Sequence, residues 1–267
     1  MNPVIAGTIA ILLYSAAGLN QTHGLISKQQ KPRKLIQTAG LVALFFHLLC
    51  LHGLLLGQNG LSLSLFNIGS LIFAFITAIL LASSISKPIE NVLALTFPLT
   101  AITIFCSLLI PAPADSALQY SGGMLTHILS SILAYSLITI AACQAVLVAI
   151  QNKELKQKHI KGIIQLFPPL QTMESLLFEM LSAGLALLTI SIATGMIFLD
   201  DMLAQHLAHK TVLSIIAWVV FATLLLGRYQ LGWRGNTAIK GTLIGFTLLM
   251  LAYFGSNIVL QLILQRN

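Results

Sequence analysis

Apolar residues in this chain come in long unbroken runs, with polar residues confined to short stretches between them. The runs fall at 3–20, 35–57, 65–85, 92–111, 125–150, 173–198, 211–228 and 241–262. A helix rises 1.5 Å per residue, so about 20 apolar residues cross the hydrocarbon core of a bilayer. A backbone in lipid has no water to bond, so each run is expected to be helical. The pattern therefore predicts an all-α, polytopic bundle of eight transmembrane helices. Even the longest connection, 151–172, is too short for a soluble domain, so residues 1–267 are expected to form one integral membrane domain. The first run lacks a basic leader and an A-x-A cleavage site, which predicts that it is retained as a span.

Composition agrees. Residues are 57% apolar and only 8% charged, against about 25% charged in soluble domains. Lipid must supply much of the solvent. The net charge of +7 is read as membrane orientation rather than as affinity for nucleic acid. Twelve of the fourteen Lys and Arg fall on one side: Lys28, Lys31, Arg33, Lys34, Lys87, Lys153, Lys156, Lys158, Lys161, Arg228, Arg234 and Lys240. Only Lys210 and Arg266 fall on the other. Positive residues stay inside, so both termini are expected to be periplasmic in a bacterial inner (plasma) membrane. The basic loop Ser27–Lys34 reads as a topology anchor against anionic lipid. Cys50, Cys106 and Cys143 lie inside apolar runs without a C-x-x-C pair, as buried free thiols do.

Polar side chains inside the spans narrow the search for chemistry. His47 lies near the centre of the second span and His52 nearer its outer end. They are five residues apart, about 140° around a helix, so one face does not present both. Two readings stand for His47: a structural hydrogen bond, or a haem- or proton-related role. In span five, His127, Ser131 and Tyr135 recur every four residues and make one semi-polar stripe, expected to face the bundle interior. Asn67 and Pro98 are assigned to scaffold. Glu174 and Glu179 fall in the first turns of span six, where the positive helix end suits carboxylates; Glu179, the deeper, needs a partner. Between spans six and seven, His206 and His209 are three residues apart, with Asp200 and Asp201 nearby. If that loop is helical they share a face, either as ligands to a metal or haem iron together with His127, or as part of a polar amphipathic loop.

The order of motifs late in the chain then carries a resemblance. Thr194-Gly195 closes one span. A loop and a further apolar span follow, ending in Gly232-Trp233-Arg234-Gly235, and the last span holds Tyr253-Phe254-Gly255. This order, with the segment Met124…His127…Ser131…Tyr135-Ser136 and the Pro168-Pro169-Leu170…Met173-Glu174 segment, resembles the cytochrome c assembly membrane proteins, the CcsA/CcmC/HemX superfamily. The resemblance implies that His127, at the outer surface, is an axial haem ligand. It also shows departures. Haem-handling members carry a Trp-rich segment, W-G-x-x-W-x-W-D, in the loop between spans six and seven. Here the loop reads Asp200-Asp201-Met202 through His209, and the two Trp are Trp218 and Trp233. The family His just before the GWRG motif and the outer His after the last span are also missing. Of the synthetase-like ligands only His127 remains clearly, which argues against covalent attachment of haem to an apocytochrome. The GWRG turn reads as an interfacial anchor.

No nucleophile elbow, phosphate loop, zinc-protease motif or intramembrane charge ladder is present in the sequence, so the protein is expected not to be an enzyme. The expectation is a membrane protein of cytochrome c assembly type, binding haem noncovalently at His127 with His206, His209 or His47 as further candidates, or serving as an accessory subunit. The alternatives are a scaffold or regulator of the HemX kind that partners another membrane protein, and a transporter of a small ligand. A continuous polar path from Glu179 to His127 would favour the transporter.

Overall fold

The structure is a computed structural model that describes residues 2–27, 32–57, 60–85, 90–110, 117–118, 120–157, 167–198 and 208–255. Helices α1 (Pro3–Ile26), α2 (Arg33–Leu55), α3 (Leu65–Ser83), α4 (Glu90–Leu109), α5 (Gly122–Lys156), α6 (Leu170–Phe198) and α7 (Ala208–Leu231) coincide with the first seven apolar runs. Among the described residues seven helices are long and apolar enough to cross a membrane, and the end of the eighth apolar run, beyond residue 255, lies outside them. The eighth, α8 (Asn236–Met250), starts ahead of its apolar run and widens into a π-helical turn, Leu251–Gly255. The chain is thus an all-α polytopic membrane protein.

Helix starts follow local chemistry. Asn2 Oδ1 accepts the Val4 amide at 2.9 Å, with Pro3 in the first helical position, where its missing N–H costs nothing. Ser64 caps α3 by accepting the Asn67 amide. Among the described residues the strands form a small antiparallel ribbon of β1 (Leu56–Gly57), β2 (Gly60–Ser62) and β3 (Ala117–Leu118). Leu61 pairs with Leu56 on one side and with Leu118 on the other.

The chain forms two compact units. The first comprises residues 1–120 and 153–169 and contains α1 to α4. On α1, Ala6, Ala10, Tyr14 and Ala17 are buried while Leu12 and Leu19 are exposed, the one-sided pattern of a helix with lipid on its other face. Small residues bring the helices close, as expected where van der Waals packing drives association in lipid. A β-carbon on Gly7 would lie 2.7 Å from Leu108 and 2.9 Å from Cys50 Sγ, and one on Gly18 would lie 3.1 Å from the Pro98 ring. Pro98 sits inside α4 without interrupting it.

The second unit comprises residues 121–152 and 170–267 and contains most of α5 together with α6, α7 and α8. Gly184 of α6 lies against Ile138 of α5, at 2.7 Å from a built β-carbon, and Gly245 of α8 lies under the Phe221 ring of α7. Helices α5 and α6 run antiparallel, so His127 and Ser191 share one end of the unit while Gln144, Met173 and Glu174 lie toward the other.

Candidate functional site

The semi-polar stripe on α5 faces protein. His127 Nδ1 is 2.8 Å from the Ser191 carbonyl of α6. One turn on, the Ser131 hydroxyl donates to the His127 carbonyl at 2.6 Å and lies 2.6 Å from the Ser191 hydroxyl. A further turn on, the Tyr135 hydroxyl donates to the Leu249 carbonyl of α8 at 3.0 Å. Its ring packs on Tyr253 in the π-helical turn, with centroids 5.7 Å apart. Three residues at helical spacing thus tie α5 to α6 and α8.

The first contact fixes the imidazole chemistry. A carbonyl only accepts, so the proton of the Nδ1···O bond belongs to Nδ1. In the neutral ring the lone pair is then on Nε2, as in metal-bound histidines whose second nitrogen is held by a carbonyl or carboxylate. His127 is half-buried, so its ring is held by the protein without being enclosed by it.

At the other end of the second unit the GWRG turn is built around backbone contacts. Glu174 is 6% exposed and accepts the Gly235 amide at 2.8 Å. Gly235 has φ +61° and no side chain to cap α8, so the carboxylate of α6 serves that helix start. Gly232 has φ +67°, a region open to glycine at no steric cost. The Trp233 amide donates to the Gly227 carbonyl at 3.1 Å, and its ring covers Gly227 so closely that a β-carbon there would fall among the ring atoms. The Arg228 guanidinium donates to the Trp233 carbonyl at 3.3 Å and stacks over Phe178, 4.8 Å from the ring centre. Asn152 donates to Asn236 at 3.0 Å. Trp233 is therefore a half-buried closure of the turn, while Arg234 is the exposed basic residue beside it.

The other expected site residues are placed differently. His47 belongs to the first unit. It is fully buried, its Nε2 lies 2.9 Å from the Ser70 hydroxyl, and the Tyr14 ring meets it edge-on at 5.9 Å. His127 belongs to the second unit. His209 lies in the first turn of α7, while His206, Asp200 and Asp201 lie outside the described residues. Glu179 is exposed and accepts from the Ser175 hydroxyl at 3.3 Å. Among the described residues no three His, Cys, Asp or Glu side chains gather as a metal site. The carbonyls of Ser191 and Leu249 were not legible as partners, because no side-chain pattern reports a backbone acceptor; Ser191 adds its hydroxyl, against Ser131.

Fold and site together define a polytopic helical protein of the bacterial inner membrane with a polar row inside its second unit. The chain belongs to the cytochrome c assembly family: the family described as Cytochrome C assembly protein matches residues 35–264. It is similar to the inner membrane protein YpjD of Escherichia coli K12, with 32% identity covering 98% of this chain and 99% of that protein. It is also similar to the cytochrome c biogenesis protein CcsA of Guillardia theta, with 26% identity over 55% of this chain and 54% of the relative. Protein HemX of Brevibacillus brevis is 24% identical over 54% of each. No solved structure gives a significant match.

Proposed function

We propose that this family member binds haem noncovalently at the His127 end of its second unit and has no catalytic activity of its own. The observation that carries this reading is the His127–Ser191 contact of 2.8 Å, which fixes the tautomer with its lone pair on Nε2 and holds the ring in place. That nitrogen would be the group that holds haem iron, since neutral imidazole is a haem ligand. When bound, haem would supply a redox-active or transferable iron porphyrin. The protein's part is to orient His127 through Ser191, to hold Ser131 against both, and to anchor the row to α8 through Tyr135. The cytochrome c biogenesis role in the name of the CcsA relative supports the reading. So does the distribution of Lys and Arg, by which the His127 end would be periplasmic. The departures from the Trp-rich pattern favour loose, reversible binding over a synthetase reaction.

A transporter is less well supported. Between the levels of Glu179 and His127, α6 contributes Leu181, Gly184 and Leu188, all buried, with Ile138 closed onto Gly184. The buried hydroxyls of α5 at that level, Ser136 and Thr139, donate to carbonyls of their own helix, at Ile132 and Tyr135, which favours a site at one end over a polar path.

Haemin titration of the protein purified in mild detergent tests the proposal. The expected result is a saturable Soret band at one haem per chain, weakened in His127→Ala. No saturable binding by the wild-type protein would overturn it and leave a scaffold or regulator docked on another membrane protein.

A further inference from the structure

The outer side of α6 carries small and polar residues that the haem reading does not use. Gln171, Ser175, Glu179, Ala183, Ala186 and Ala193 are all exposed. At 3.6 residues per turn they fall within about 120° of arc, so they form one stripe down the helix. Leu177, Leu181, Leu188 and Ser191 are buried and lie on the opposite side. Ile190 is the one large apolar side chain exposed between Leu170 and Gly195. Helix α7 of the same unit differs. Its exposed residues include Ile215, Val219 and Leu226, a surface as apolar as the acyl chains it meets.

Glu179 sets the chemistry of the stripe. It lies six residues inside the apolar run that starts at 173, a depth of about 9 Å at 1.5 Å per residue. Its carboxylate accepts the Ser175 hydroxyl at 3.3 Å. A carboxylate has about four acceptor sites, so it can hold Ser175 and a further donor together. Ionisable side chains inside a membrane span almost always face protein or a cavity and pair there. One turn to either side of Glu179 stand Ser175 and Ala183, small enough to let another backbone come close, as between helices in lipid.

Three occupants differ in what they present to this face. Acyl chains offer no donor. A second copy would meet it about a two-fold axis along the membrane normal, which sets Glu179 against Glu179, and like charges oppose each other's ionisation. A helix with a basic side chain answers both the carboxylate and the small surface. We propose that the stripe docks a membrane-spanning helix of another protein, one that carries Lys or Arg opposite Glu179. That helix packs on Ala183 and Ala186, and its cation bonds the carboxylate in the half of the bilayer nearer the GWRG turn. The site stands apart from the haem reading, because His127 meets Ser191 on the buried side of α6.

Photo-crosslinking of the full-length protein in the bacterium's own membrane tests this. p-Benzoylphenylalanine replaces Ala183 on the stripe or, as the lipid-facing control, Val219 of α7. The expected result is a protein adduct from position 183 and none from 219. Its cross-linked peptide, read by mass spectrometry, is expected to lie in a transmembrane helix with Lys or Arg in the matching half. The yield is expected to fall several-fold in Glu179→Gln and to return when Glu179→Lys meets a partner whose basic residue is changed to Glu. Thermal unfolding of Glu179→Gln is expected to match the wild type, since Gln keeps an acceptor for Ser175. An adduct with lipid, with a second copy, within one chain, or with a helix lacking Lys and Arg would overturn the proposal, whether or not the variant folds. So would the absence of any adduct at 183, or a partner adduct whose yield is unchanged in folded Glu179→Gln.

Discussion

The Glu174 carboxylate accepts the Gly235 amide at 2.8 Å, so the second turn of α6, counted from its start at Leu170, caps the start of α8. Two motifs separated by about sixty residues of chain are thereby parts of one contact. The Pro-Pro-Leu…Met-Glu segment supplies the acceptor, and the last glycine of the GWRG turn supplies the donor. Glycine at 235 leaves the cap without a side chain of its own, and the carboxylate takes that place.

Removing the acceptor leaves a part-buried helix-terminal N–H without that partner. Glu174→Ala is expected to destabilise the folded protein by about 1–3 kcal/mol. Glu174→Gln keeps an acceptor oxygen and is expected to lose less. Thermal unfolding in detergent, with the two variants compared side by side, checks the order; equal losses would show that the amide contact is not what Glu174 contributes.

Gly227 is required by Trp233 rather than by its own backbone. Gly227→Ala places a methyl among the Trp233 ring atoms, so the ring must leave the turn or the helix must shift, at a cost of about 1–3 kcal/mol. In a Trp218→Phe background, Trp233 is the remaining tryptophan. Its fluorescence is expected to shift on Gly227→Ala as the half-buried indole moves. An unchanged emission spectrum would contradict the packing described for this turn.

Tyr135 links α5 to α8 immediately before the backbone widens into its π-helical turn. Tyr135→Phe keeps the ring contact with Tyr253 and removes only the hydroxyl bond to Leu249. A loss of about 1 kcal/mol is expected, together with faster amide exchange over Leu249–Gly255. Exchange unchanged in that segment would mean that the hydroxyl does not hold it.

Much of this architecture was legible in the sequence because lipid imposes a single rule, long apolar helical runs. Seven of the eight runs coincide with helices long enough to span, and the stripe of His127, Ser131 and Tyr135 faces protein as its spacing implied. Helix ends were less legible. Helix α5 continues through Asn152, Lys153 and Glu154 because helix formation does not stop where lipid does, and α8 begins at Asn236, where Glu174 caps it. The β-ribbon was not anticipated, since strands of two or three residues have no periodicity to detect. The partners of the stripe were hidden for another reason: His127 and Tyr135 reach the carbonyls of Ser191 and Leu249, and which carbonyl a side chain reaches is decided by helix packing.

On the proposed reading, His127 Nε2 holds haem iron. Resonance Raman spectroscopy of the ferrous haem-loaded protein tests it most directly, because an iron–histidine stretching mode reports that bond. Such a mode is expected in the wild type, shifted by 15N-histidine labelling, lost in His127→Gly and restored by added imidazole. The same mode persisting unchanged in His127→Gly without imidazole would contradict it.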